Sequence, residues 1–107
     1  MVCEYFLGSV QAVTESGTLL AASAGGSQLA AYAFTAKNVI WVVGTHKIVR
    51  TLDEALERLR EYSLPLEDQR MKRLGTPGSF IGKMLIFEKE RPDRSVRLIF
   101  VNKPLGF

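Results

Sequence analysis

AVTESGTLLAASAGGSQLAAYAFTAKNVIWVVGTHK, residues 12–47, decides the fold class, because it joins a turn, a glycine-rich loop, a small-residue helix and a buried strand. Thr14-Glu15-Ser16-Gly17 has turn chemistry, and Thr18 to Ala22 begins a strand that predicts a hairpin with the segment before it. Ala24-Gly25-Gly26-Ser27 interrupts that strand, and Ser27 is the natural N-cap of a helix over about Gln28 to Thr35. Val39 to Val43, VIWVV, is a continuous apolar run of strand length, as in a central parallel strand. Strand, helix and strand in this order predict a right-handed crossover. The fold class is therefore α/β.

Outward from this stretch, Glu4 to Val13 reads as one strand covered on both sides. Thr51-Leu52-Asp53-Glu54 is a capping box, with Thr51 accepting from Glu54 and Glu54 reaching back to the cap. Leu52, Ala55, Leu56, Leu59 and Tyr62 form the apolar stripe of the helix that follows, opposed by Glu57, Arg58, Arg60 and Glu61. Pro65 predicts its end at Ser63-Leu64, and Leu66 to Leu74 suits a further short helix. Lys83 to Glu88 and Val96 to Val101 are strands spaced for a hairpin across Arg91 to Ser95.

Length and charge bound the function. A chain of 107 residues is one domain, spanning residues 1–107. The net charge is +3, but acids and bases alternate: Glu67-Asp68 precede Arg70, Lys72 and Arg73, and Glu88, Glu90 and Asp93 lie among Arg91, Arg94 and Arg97. That is a solvated face, so no nucleic-acid partner is expected. The uncharged stretch Ser16 to Ala36 is broken by Gly, Ser, Thr and Gln, so no membrane span is expected, and the absence of a signal-like start predicts a cytoplasmic protein. Lone Cys3 and lone His46 exclude an internal disulfide and argue against a zinc site, and no cofactor is expected.

The candidate site is the same stretch. A glycine pair opening a helix aims backbone N–H groups outward, where they favour a phosphate or carboxylate; the same glycines suit a loop that only has to turn. His46 and Lys47 follow the carboxyl end of VIWVV, the edge at which open α/β sheets bind ligands; a solvated loop pair is the alternative. Glu15 is either an exposed turn carboxylate or one held at the mouth of a cleft. The ligand-binding candidates are Thr14, Gly17, Gly25, Gly26, Ser27, Gln28, His46 and Lys47, with Glu15 the catalytic candidate and no metal ligand among them.

Ser9 to Arg70, SVQAVTESGTLLAASAGGSQLAAYAFTAKNVIWVVGTHKIVRTLDEALERLREYSLPLEDQR, and the closing LIFVNKPLGF resemble the C-terminal half of the lactate-utilisation (LUD) domain. The resemblance is carried by Thr14-Glu15-Ser16-Gly17-Thr18, Gly26-Ser27, Val42-Val43-Gly44 with Lys47-Ile48-Val49, Asp53-Glu54-Ala55 and Leu105-Gly106-Phe107. It implies the three-layer α/β/α fold shared with sugar-phosphate isomerases and coenzyme A transferases, in half-length or truncated form. It also implies a role in bacterial lactate oxidation. Some relatives have a cysteine-rich segment around Gly75 to Lys83, but GTPGSFIGK has no Cys, so no iron–sulfur cluster is expected here.

Three functions follow. One is a non-redox accessory or regulatory component that binds a small anionic metabolite, such as a phosphate, carboxylate or coenzyme A ester. Another is an enzyme resembling coenzyme A transferases or sugar-phosphate isomerases, since Glu15-Ser16-Gly17 is similar to the transferase Glu-Asn-Gly. The third is a structural half-domain with no ligand of its own. A half-length domain implies a homo-oligomer or a complementing protein subunit.

Overall fold

The computed structural model describes residues 3–107, apart from the side chains of Cys3, Glu4, Ser27, Ala31 and Thr35. In chain order the strands are β1 (Cys3–Gly8), β2 (Ala12–Thr14), β3 (Leu19–Ser23), β4 (Ala36–Gly44), β5 (Ile48–Val49), β6 (Lys83–Phe87) and β7 (Ser95–Val101). Helix α1 (Ser27–Ala30) runs into a π-turn at Ala31–Thr35, and α2 (Leu52–Arg58) continues through a π-turn at Leu59–Ser63 into α3 (Leu64–Arg73). Among the described residues the strands form two sheets, ordered β1-β4-β7 and β5-β2-β3-β6. The architecture is α/β, as the sequence predicts.

Residues Val39 to Val43 form part of the central strand of the parallel sheet, buried on one face, while Val42 on the other is exposed. They lie within β4, which runs parallel to β1 on one side, pairing Val39 with Phe6, and to β7 on the other, pairing Trp41 with Leu98. Val39, Trp41 and Val43 are fully buried between the two sheets, where they meet Leu19, Ala21, Tyr32 and Phe87. The second sheet buries its opposite face beneath α2: Ala12 and Leu20 pack with Ala55 and Leu59. The strand period of two thus sends alternate residues of β3 to separate cores. The layers run parallel sheet, second sheet, helix.

Several local expectations are corrected. Glu4 to Val13 is two strands in different sheets, because the chain breaks at Ser9 to Gln11. Side chains serve the backbone of the break: the Tyr32 hydroxyl accepts from Ser9 N (3.2 Å) and donates to Ser9 O (3.1 Å), while Lys47 Nζ donates to Val10 O (2.9 Å). The expected hairpin of Lys83 to Glu88 with Val96 to Val101 does not form, since β6 pairs with β3 and β7 with β4. The β3-α1-β4 crossover likewise joins two sheets, so the handedness rule for one sheet does not apply to it. The β2-β3 hairpin is as expected.

The capping box holds in one direction. Thr51 Oγ1 accepts from Glu54 N (3.2 Å), but the Glu54 carboxylate accepts from the Arg50 amide (2.9 Å), one residue before the cap. Pro65 does not end the helical run. It falls in the first turn of α3, where its missing N–H is harmless, and the π-turn before it takes up the change of phase.

Candidate functional site

The carboxyl end of β4 leads into a tight 3-10 turn, Thr45–Lys47, that swings Lys47 back beneath the sheet. Its side chain is only 4% exposed. Nζ donates to Val10 O at 2.9 Å and to Ser9 Oγ at 3.3 Å, both neutral oxygens. None of the ion pairs among the described residues includes Lys47. Burial, reinforced by the nearby Arg58 charge, lowers its pKa to about 8.

Arg58 approaches from α2. Its Nη1 donates to Gln11 O (2.9 Å), to Ser63 Oγ (2.8 Å) and to the carbonyl of Phe107. Ser63 Oγ donates to the same Phe107 carbonyl at 2.7 Å. One residue earlier, Gly106 O accepts from His46 Nε2 at 3.3 Å. Desolvation lowers the His46 pKa against the opposing pull of that carbonyl, with Arg58 and Lys47 lowering it further. Gly106 has φ +68°, and a Cβ there would stand 3.3 Å from Lys47 Nζ. Residues 106 and 107 therefore lie across three basic side chains.

Beside Lys47 is a cavity of about 430 Å³, with Gln11, Gln28, Ser63, Arg70 and Phe107 also in its wall. Leu59, Leu64 and Phe80 add apolar surface. Arg70 is paired with Glu67 at 2.6 Å, so its charge is largely answered. The lining is mixed, with polar and charged groups, Glu67 among them, interleaved with the apolar ones.

The sequence model of the LUD domain matches residues 1–102. The chain belongs to the lactate-utilisation (LUD) domain family. No curated protein and no solved structure matches it significantly. No helix among the described residues of this LUD chain is long and apolar enough to cross a membrane.

Of the residues singled out from the sequence, Lys47 and Gln28 meet at the cavity. The glycine pair stands just beyond its wall, which is formed by the neighbouring Ser23 and Ala24. Gly26 N donates to Ser23 Oγ (3.0 Å) with φ +91°, and Gly25 O accepts from Lys83 Nζ (2.9 Å), so both glycines serve the turn. Ser27 is the first helical residue rather than the cap, and its side chain lies outside the described residues. Thr14, Glu15 and Gly17 form the β2-β3 hairpin tip: Thr14 Oγ1 accepts from Thr18 N (3.0 Å), Gly17 has φ +94°, and Glu15 is exposed. They do not line the cavity, and His46 faces Gly106 instead.

Arg58, Ser63 and Arg70 carry no sequence signal for this role. On a regular helix Arg58 belongs to the polar face, and only the Gln11 and Phe107 carbonyls it reaches show why it turns inward. The stripe itself is skewed by the π-turn: Leu59 is 3% exposed, whereas Tyr62 is 48% exposed and lies under the Arg58 guanidinium, 4.8 Å from ring centroid to Cζ.

Proposed function

We propose that this LUD-family chain is a cytoplasmic, non-redox accessory or regulatory component of bacterial lactate utilisation that binds a small anionic metabolite in the Lys47 cavity. Family membership supplies the link to lactate utilisation. The observation that carries the binding reading is Lys47 itself: a buried amine whose hydrogen bonds among the described residues go to neutral oxygens, and which carries an unanswered charge whenever it is protonated, in the wall of a cavity. A buried charge without a counterion costs free energy, and an incoming carboxylate or phosphate oxygen offsets that cost. Gln28 adds a neutral hydrogen-bonding group to the same wall, and the Glu67 carboxylate there is held by Arg70.

Isothermal titration with phosphate, lactate and coenzyme A esters tests the reading. Lys47→Ala is expected to weaken binding of the responding anion by about 1 to 3 kcal/mol, the loss of one charge-assisted hydrogen bond. Equal affinity in wild type and variant would sink it.

A partner belongs to the same proposal. The outer face of the parallel sheet displays Tyr5, Leu7 and Ile99 at 61%, 69% and 48% exposure, although parallel sheets are ordinarily covered on both faces. A second copy of the chain or a complementing subunit would cover it.

A further inference from the structure

We infer that Lys47 is a carbonyl-reactive amine, and that the cavity beside it holds a small 2-oxo or aldehyde acid as a reversible imine. This rests on reading the cavity as a ligand site and names the chemistry of its occupant. The geometry around Nζ accommodates a neutral amine as readily as an ammonium. An ammonium has three N–H donors, whereas Nζ has hydrogen bonds to Val10 O (2.9 Å) and Ser9 Oγ (3.3 Å). A neutral –NH2 has two N–H groups for those two oxygens and keeps its lone pair, and Lys47 lines the cavity in which a carbonyl compound would meet it. No ion pair among the described residues holds the amine in its charged form.

The surroundings favour the same state. Desolvation and the Arg58 charge bring the pKa to about 8, so a useful fraction of free amine exists near neutral pH. Arg58 stays charged and supplies a positive field, which is why an acid, rather than a neutral carbonyl compound, is the expected occupant. The cavity has room for a molecule of a few heavy atoms.

The step balances without a further reactant. The Lys47 lone pair forms an N–C bond to the carbonyl carbon while the π pair moves to oxygen, which takes up a proton released by the nitrogen. The hydroxyl of this carbinolamine then leaves with a further proton as water, and the nitrogen lone pair closes the C=N bond. Hydrolysis reverses the sequence, so the acid is held and released rather than consumed.

The test is reductive trapping of the full chain with glyoxylate and cyanoborohydride near neutral pH, read by intact mass and peptide mapping. A carboxymethyl group is expected on Lys47 about tenfold or more faster than on the exposed Lys37, Lys72, Lys89 and Lys103, since a pKa of about 8 in place of 10.5 multiplies the free amine. Lys47→Arg is expected to abolish that fast phase and leave the slow labelling of the exposed lysines. Labelling of Lys47 no faster than theirs, or its protection, overturns the proposal; this result is readable in the wild type even if the variant fails to fold. A thermal shift with phosphate but no fast labelling would retire the imine and keep the anion site. Absence of both would retire the ligand reading of the cavity as well.

Discussion

Lys47 Nζ donates to the carbonyl of Val10 across 2.9 Å, tying the turn after β4 to the link where the chain passes from the parallel sheet to the second one. The contact makes Lys47 a structural residue and a cavity residue at once. Its protonation therefore reports on stability.

The folded-state pKa of about 8 lies below the ordinary 10.5, so between those pH values the unfolded chain binds a proton that the folded chain does not. Stability rises with pH wherever the unfolded state binds more protons. Wild type is thus expected to gain up to about 3 kcal/mol relative to Lys47→Met as pH rises through that window, at roughly 1.4 kcal/mol for each pH step of one. Urea denaturation of both proteins at the two ends of the window measures it. A constant difference, or one of the opposite sign, would show that Lys47 is not desolvated.

Leu59 carries the helical side of the second core, at 3% exposure, while the neighbouring Tyr62 is half exposed. Leu59→Ala is expected to cost about 2 to 5 kcal/mol, from lost burial and the cavity left behind. Tyr62→Ala is expected to cost about 0.5 to 1 kcal/mol, chiefly its contact with Arg58. Equal losses in chemical denaturation would mean that the π-turn does not skew the stripe.

Gly8 sits against the Tyr32 hydroxyl, which an added Cβ would overlap. Tyr32 is held on both sides: its hydroxyl is bonded to Ser9, and its ring stands edge-on to Phe6 (5.4 Å) and Trp41 (5.2 Å). Gly8→Ala is expected to destabilise by about 1 to 3 kcal/mol, as overpacking of a close-packed core does. An unchanged melting temperature would show that the ring has room to move.

The outer face of the parallel sheet is the expected contact with a partner. Leu7→Lys with Ile99→Lys places charge on two positions that are 69% and 48% exposed, at little expected cost to the fold. Sedimentation at micromolar concentration is expected to show association in the wild type and a monomer in the double variant. A wild-type monomer that binds no apolar dye would end the partner proposal.

Periodicity and caps in the sequence alone determined the local pieces: the central strand from Val39 to Val43, the β2-β3 hairpin and the Thr51 cap. Each depends on interactions within a few residues, which is the range that residue spacing encodes. The position of Lys47 after the carboxyl end of β4 was legible for the same reason. What only the tertiary structure decided is which strands pair. Alternation in β6 and β7 allowed a hairpin, but burying Phe87 and Leu98 around Trp41 put them in different sheets. The break after Gly8 was equally hidden, since its backbone groups are served by Tyr32 and Lys47, 23 and 37 residues away from the groups they bond. The inward turn of Arg58 and the cavity with Lys47, Gln28 and Ser63 follow from that packing, because contacts between distant segments leave no spacing in the chain from which to read them.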